Sequence, residues 1–214
     1  NEHISQRALR EIYLKGFEIA VKNSQPWAIM TAYNKINGTY VSENKELLTD
    51  ILRDEWKFEG LVMTDWFGGY GSEDEVRANK VSNVAAQINA GNDWLMPGTP
   101  QQIEAVIKQV KSGKLNTSAM DKSAERILKI ILKSPVFRNY KYSDNPDLKA
   151  HAKISKQAAT ESMVLLENKS NTLPLKLNGK KVALFGNTSY NFISGGTGSG
   201  DVNEAYVVSL LDGL

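Results

Sequence analysis

The sequence contains no cysteine and only two histidines, His3 and His151. A disulfide framework and a thiolate metal site are therefore excluded, and two histidines argue against a zinc-type cluster. No apolar run approaches the roughly 18 residues that a membrane span requires. Charge of one sign is not in excess either, since 26 basic and 24 acidic residues give a net charge of +2. We therefore expect no metal, and neither nucleic acid nor a membrane as a partner.

The overall composition is that of a packed globular protein. Hydrophobic residues make up 41% and charged residues 23% of the 214 residues. This length can supply one domain or parts of two. The chain begins with Asn-Glu-His-Ile-Ser, which lacks both Met and the character of a secretory leader. We therefore expect the natural protein to begin upstream.

Short apolar strands alternate with amphipathic helices in the first two thirds of the chain. Strands are predicted at 28–33, 61–64 and 94–96, and helical spacing occurs around 5–21, 44–56, 75–90, 103–110 and 120–131. Turn residues follow each strand, which is typical of a parallel sheet covered by helices. A closed (β/α)₈ barrel needs about 250 residues, so three such units could form less than half of one.

A change in character marks residues 134–147. This stretch has proline near both ends and no apolar periodicity, so it is interpreted as an interdomain linker. Beyond it, a helix at 148–161, a strand at 180–185 and a helix from about 202 to the end predict the beginning of a second α/β domain. The glycine-rich loop at 195–200 does not open directly from a strand into a helix and has no P-loop lysine. Nucleotide binding is therefore not favoured.

The most promising catalytic residue is Asp65, which directly follows the predicted strand 61–64 and precedes Trp66. In parallel α/β folds, the carboxyl ends of the strands face the site. A carboxylate in this position is, on its own, more often a helix cap or a loop ligand than a nucleophile. Tyr33 follows the preceding strand and should point to the same face. Asp93 precedes its strand, so we expect it at the opposite end of the sheet or capping a helix.

A series of motifs, taken in order, closely resembles the nucleophile region of family 3 glycoside hydrolases of the β-glucosidase type. Several motifs at matching intervals are far more specific than any one of them. They are Met-Thr-Ala-Tyr-Asn at 30–34, Asn-Gly at 37–38, Leu-Arg-Asp-Glu-Trp at 52–56, Val-Met-Thr-Asp-Trp at 62–66, Ala-Gly-Asn-Asp-Trp-Leu-Met-Pro-Gly at 90–98, Glu-Ser-Met-Val-Leu-Leu-Glu-Asn at 161–168 and Gly-Gly-Thr-Gly-Ser-Gly at 195–200.

The resemblance implies a fold and a domain organisation. Residues 1–133 would be the C-terminal part of a (β/α)₈ TIM-type catalytic barrel. Residues 134–147 would be a linker, and residues 148–214 would be the N-terminal part of an α/β sandwich domain. The implied reaction is retaining hydrolysis of terminal non-reducing β-D-glucosyl residues, without a metal or organic cofactor. Members of the family are commonly exported, which favours the periplasm or the medium.

The resemblance also implies roles for individual residues. Asp65 would be the nucleophile that forms a covalent glycosyl-enzyme intermediate, and Trp66 would wall the sugar subsite. Tyr33 and Met30 would line that subsite beside the anomeric carbon. Ser199 would hydrogen-bond a substrate hydroxyl, although its loop can equally be a turn that glycine makes tight.

Two parts of the family pattern find no match in this sequence. Residues 1–27 lack the Lys-His and Arg motifs that hold sugar hydroxyls, and no glutamate matches the acid/base. We therefore expect the piece to be inactive alone and to need the remainder of the polypeptide. Alternatives with the same mechanism are a β-xyloside, an α-L-arabinofuranoside or an N-acetyl-β-glucosaminide as substrate. An alternative of another class is a non-catalytic carbohydrate-binding fragment.

Overall fold

The computed structural model describes residues 1–68, 75 and 80–214. The chain divides into two compact units, Asn1–Ser143 and Asp144–Leu214. The helix predicted around 75–90 lies partly outside the described residues; among those described, Glu75 is helical and Val84–Ala90 form helix α3. Residues 80–83, which lead into α3, are not helical.

The first unit opens with the predicted amphipathic helix, which is confirmed but interrupted. Helix α1, Gln6–Ala8, passes into a π-helical turn, Leu9–Tyr13, and then into helix α2, Lys15–Ser24. Helix α2 ends at Gln25, whose φ of 44° is left-handed. Such a residue closes the helix by directing its backbone N–H back to the last turn.

A parallel strand pair forms the centre of this unit. Strand β1, Ala28–Thr31, pairs with strand β4, Leu61–Thr64, in the register Ala28↔Leu61 to Thr31↔Thr64. The predicted third strand contributes only one parallel bridge, between Trp94 and Met63. Its pairing stops there because the backbone N–H of Met96 donates to the side chain of Thr64, and the next residue is a proline.

A small antiparallel hairpin between β1 and the next helix was not predicted. Strands β2, Lys35–Ile36, and β3, Thr39–Tyr40, are joined at Asn37 and Gly38, with φ of 50° and 88°. Positive φ at both central residues is the hairpin geometry that Asn-Gly favours.

Helices cover the strand pair and continue beyond it. The π-helix Glu46–Glu55 follows the hairpin and corresponds to the predicted helix around 44–56. Helices α4, Pro100–Lys111, and α5, Thr117–Lys133, complete the unit before a 3-10 turn at Pro135–Arg138. The apolar faces of the first helices and the π-helix pack on β4. The main core cluster comprises Leu9, Val21, Leu47, Leu48, Ile51, Leu52, Trp56, Phe58, Val62 and Ala90.

The second unit is dominated by helix α6, Leu148–Ser162, which Asp147 caps. The predicted helix from about residue 202 is wrong, because helical structure begins only at α7, Leu210–Gly213. The predicted strand at 180–185 is also wrong. Phe185 within it is 88% exposed, and the described residues of this unit offer no strand for it to pair with. Unpaired backbone groups remain solvated instead of forming a ladder.

Candidate active site

Asp65 lies at the carboxyl end of strand β4, half-buried. Its backbone N–H donates to the carbonyl oxygen of Thr31 at 3.2 Å, so the parallel pairing continues through this residue. Its Oδ1 accepts a hydrogen bond from the backbone N–H of Trp66 at 2.7 Å. This hydrogen bond orients the carboxylate.

Tyr33 lies beside Asp65, as the sequence predicted. Its hydroxyl donates to the backbone carbonyl oxygen of Trp66 at 2.5 Å. Desolvation, and after it the hydrogen bond and negative charge of Asp65, raise the pKa of Tyr33 above its ordinary value. A raised pKa keeps the phenol protonated, and therefore a donor, throughout the neutral range.

A cleft of about 200 Å³ opens over these two residues. The hairpin region and the segment just before α3 also contribute to the cleft, and they supply polar groups that sequence reasoning missed. The described lining consists of Thr31, Ala32, Tyr33, Tyr40, Ser42, Thr64, Asp65, Phe67, Gly68, Lys80, Val81 and Ser82. The signal that could have placed Tyr40 here is the Asn-Gly turn, which pairs β3 with β2 and so brings Tyr40 back beside Lys35.

Residues 65–68, called here the Asp65 loop, are tied to the segment around Met96. The backbone N–H of Phe67 donates to the carbonyl oxygen of Met96 at 2.9 Å, and the N–H of Met96 donates to Thr64 Oγ1 at 2.8 Å. Within the loop, the N–H of Gly68 donates to the carbonyl oxygen of Asp65 at 3.1 Å. Phe67 has a φ of 60°, which a non-glycine residue adopts only when its surroundings hold it there.

A buried polar network supports the floor of the cleft. Ser42 Oγ donates to Ser82 Oγ at 2.9 Å, and Gln87 Nε2 donates to Ser82 Oγ at 3.0 Å. Asn92 Nδ2 donates to the carbonyl oxygen of Ser42 at 3.1 Å. Gln87 and Asn92 are fully buried. Buried amides with several partners fix the backbone that they bridge, so the cleft wall is held from behind.

Asp93 lies at the other end of β4, as predicted, and takes no part in the cleft. Its Oδ2 accepts from the backbone N–H of Val62 at 2.8 Å and from Arg53 at 2.5 Å. Its Oδ1 accepts from Arg126 at 2.8 Å and from Ser123 at 3.1 Å. Burial lowers the pKa of Arg53, because desolvation outweighs the attraction of Asp93. Asp93 is thus an anchor for β4 and for helix α5.

The described residues contain no group of three or more His, Cys, Asp or Glu side chains that could hold a metal ion. Within that same part of the chain, every helix is too short or too polar to cross a membrane.

Comparison with known proteins decides the family. The N-terminal domain of glycosyl hydrolase family 3 matches residues 1–130, and the C-terminal domain of that family matches residues 163–214. The chain belongs to glycosyl hydrolase family 3. The resemblance that the sequence motifs indicated is thereby confirmed.

Relatives within family 3 are named β-glucosidases. β-Glucosidase B of Emericella nidulans is 41% identical over all of this chain and 25% of its own length. Thermostable β-glucosidase B of Acetivibrio thermocellus is 42% identical over 86% of this chain and 22% of its own. The structure of β-glucosidase 3B from Thermotoga neapolitana in complex with α-D-glucose has a TM-score of 0.83 and 46% identity, with 99% of this chain and 29% of that one covered. The chain thus spans about a quarter of the length of these relatives.

The remaining predicted site residues of this family 3 chain are less closely associated with the cleft. The ring of Trp66 is 53% exposed and lies 6.2 Å from that of Phe67. Met30 is 58% exposed, is paired in register with Met63 and lines a separate apolar cleft. Ser199 is exposed in a short 3-10 turn of the second unit, Gly198–Gly200. Among the predicted residues, the structure therefore brings together Asp65, Tyr33 and the backbone of Trp66.

Proposed function

We propose that the full protein is a retaining β-glucosidase in which Asp65 is the nucleophile. The observation that carries this proposal is the placement of Asp65. It is a half-buried carboxylate at the carboxyl end of a parallel strand, held by the N–H of Trp66 at 2.7 Å and opening on a cleft. A retaining glycosidase needs one ionised carboxylate of this kind below the sugar ring.

The hydrogen bonds around Asp65 fit the work of a nucleophile. Because Oδ1 accepts from the backbone N–H of Trp66, that hydrogen bond fixes the orientation of the carboxylate at the cleft. The protonated phenol of Tyr33 lies beside it and can donate a hydrogen bond to the carboxylate whose charge returns when the sugar leaves Asp65. The aromatic face of Trp66, which is exposed, can pack against sugar C–H groups.

The reaction also needs a second group, which donates a proton in the first step. In the first step a carboxylic acid protonates the leaving-group oxygen while Asp65 bonds to the sugar carbon. In the second step the same group, now a carboxylate, removes a proton from the water that releases the sugar. We assign that group, and the side chains that clamp the sugar hydroxyls, to the remainder of the polypeptide.

The fold that we propose around this site follows the family. Residues 1–133 form the C-terminal part of a (β/α)₈ barrel, and the parallel pairing of β1 with β4 supports this. Residues 148–214 begin an α/β sandwich, and residues 134–147 link the two. The boundary between the compact units, at Ser143 and Asp144, falls within that linker.

The substrate that we propose is a terminal β-D-glucosyl residue. The names of the relatives support a β-glucoside, and one related structure contains glucose. Release of nitrophenol from a panel of aryl glycosides by the full-length protein would rank glucose against xylose, arabinose and N-acetylglucosamine.

The test of Asp65 is covalent trapping in the full-length protein. A 2-deoxy-2-fluoro-β-glucoside should inactivate the enzyme, and mass spectrometry of its peptides should find the sugar on Asp65. Asp65→Ala should lower kcat by at least about 10³-fold, because removal of a covalent nucleophile has effects of this size or larger. Asp50→Ala is the control, since Asp50 is an exposed aspartate paired with Lys45. A label on another residue, or full turnover by Asp65→Ala, would remove Asp65 from this role.

A further inference from the structure

Gln102 makes contacts at both ends of its side chain, although it lies in the first turn of helix α4 and is only 3% exposed. Its Oε1 accepts from the backbone N–H groups of Gly98 at 3.1 Å and Thr99 at 2.8 Å. Its Nε2 donates to the carbonyl oxygens of Gly68 at 3.0 Å and Met96 at 3.5 Å. The side chain thus bridges the start of helix α4 to the end of the Asp65 loop.

Only a carboxamide can satisfy this arrangement. Two backbone N–H groups meet one end of the side chain, and two backbone carbonyl oxygens meet the other, so one end must accept and the other must donate. The orientation of the amide is fixed by its partners for the same reason. A glutamate could replace the accepting end but would set a carboxylate oxygen against the carbonyl oxygens of Gly68 and Met96.

The contact at Gly68 matters because the Asp65 loop has little other room to adjust. The N–H of Gly68 closes the loop onto the carbonyl oxygen of Asp65 at 3.1 Å. A Cβ added at Gly68 would lie 3.0 Å from the Cβ of Thr64 and 3.2 Å from that same carbonyl oxygen. The beginning of the loop is held through Thr31, and its end is held through Gln102.

From this geometry we infer that Gln102 is a positioning residue for the nucleophile, a role that rests on the proposed function of Asp65. Gln102 is not among the described residues that line the cleft, so we infer that it acts on the carboxylate through the loop and not by direct contact with the sugar. It sets the position of the loop that presents the carboxylate to the anomeric carbon. A displacement of about 1 Å at a reacting group can cost about 10²-fold in rate.

The test compares two variants of the full-length protein, both at the start of helix α4. Gln102→Glu keeps both acceptor contacts, to Gly98 and Thr99, and loses the donor contact to Gly68. Thr99→Ala removes the capping hydrogen bond from the N–H of Gln102, which is 3.2 Å long, and leaves the contact to Gly68 intact. Thr99→Ala weakens the start of helix α4 and leaves the Asp65 loop held, whereas Gln102→Glu keeps the acceptor contacts at the helix start and releases the Asp65 loop.

Gln102→Glu should lower kcat by about 10-fold to 100-fold while KM changes by less than about 3-fold, because the loss falls on the transition state. The rate constant of inactivation by the 2-deoxy-2-fluoro-β-glucoside should fall in parallel. Thr99→Ala should retain kcat within about 2-fold, as expected for a capping residue remote from the reacting atoms. An unchanged inactivation rate in Gln102→Glu, or an equal loss in Thr99→Ala, would overturn the assignment.

Gln102→Met gives a second, uncharged test in case the buried carboxylate prevents folding. It should show the same loss of kcat at a temperature at which circular dichroism shows the protein to be folded, and unchanged kcat would overturn the inference. Failure of the proposed function itself would look different. The fluorosugar would then label some residue other than Asp65 in the unmutated enzyme, whatever the behaviour of the Gln102 variants.

Discussion

Replacement of Asp93 by asparagine should destabilise the first compact unit strongly while leaving its shape intact. The carboxylate of Asp93 has no solvent exposure and accepts charged hydrogen bonds from Arg53 and Arg126. Asparagine has nearly the same volume, so no cavity is created. What is lost is the negative charge between two cations, one of which, Arg53, is only 9% exposed.

The magnitude follows from what happens to the two cations. Removal of one partner of a buried ion pair costs about 3–5 kcal/mol, because the other charge is left buried without compensation. Arg126 is 23% exposed and can turn to water. Arg53 would keep two hydrogen-bond acceptors, the carbonyl oxygens of Gly60 and Gly91. We therefore expect the lower end of the range, about 3 kcal/mol. With a slope of about 3 kcal/mol per molar urea, the midpoint of unfolding should fall by about 1 M.

The assay is urea unfolding of the full-length protein, followed by the fluorescence of tryptophan, since Trp94 adjoins the substituted residue. Arg10→Met is the matched control, because it breaks the ion pair with Glu55, whose side chains are 41% and 48% exposed. Exposed pairs contribute little, so this midpoint should stay close to that of the wild type. The reasoning would be refuted if Asp93→Asn also unfolded at the wild-type midpoint.

Two further predictions concern the cleft and its support. In ultraviolet difference titration against Tyr33→Phe, Tyr33 should ionise above pH 10, because its pKa in the folded protein is raised. The hydrogen bond that its hydroxyl donates should persist below the ordinary pKa and be lost as the pH rises through the folded pKa. Asp65→Asn should lower the titration midpoint only in part, since desolvation is the larger cause of the shift. Gly91→Ala should lower the free energy of unfolding by about 2 kcal/mol, because φ is 100° and the new Cβ would lie 2.9 Å from Thr49 Oγ1. The thermal midpoint should fall accordingly, and an unchanged midpoint would contradict this.

The sequence predicted those features that depend on local pattern. Apolar runs located β1 and β4. Because Tyr33 and Asp65 each follow the carboxyl end of a parallel strand, the sequence also placed them at the same edge of the sheet. The Asn37-Gly38 turn is a local signal as well, because Asn-Gly favours the positive φ angles of a hairpin turn. The strand expected at 180–185 failed because an apolar run indicates burial only when something lies against it, and no described strand of its unit does.

The supports of the site could not be predicted from local pattern. Gln102 bonds to Gly68, 34 residues away, and Asp93 bonds to Arg53, 40 residues away. Nothing in the neighbouring sequence distinguishes these side chains from ordinary polar residues at a helix start or in a loop. The Thr-Pro-Gln-Gln sequence at 99–102 does predict a capping box, and that accounts for one end of Gln102 only.

Strand β4 and the Asp65 loop that follows it are held by the segment 93–102. Asp93 bonds to the N–H of Val62, Met96 bonds to the side chain of Thr64, and Gln102 bonds to the carbonyl oxygen of Gly68. The first contact carries buried charge and lies at the end remote from the cleft, so its loss should be seen as stability. The last contact carries one neutral hydrogen bond and lies next to the carboxylate, so its loss should be seen as rate. A protein in which both substitutions altered only stability would contradict this division of roles along the strand.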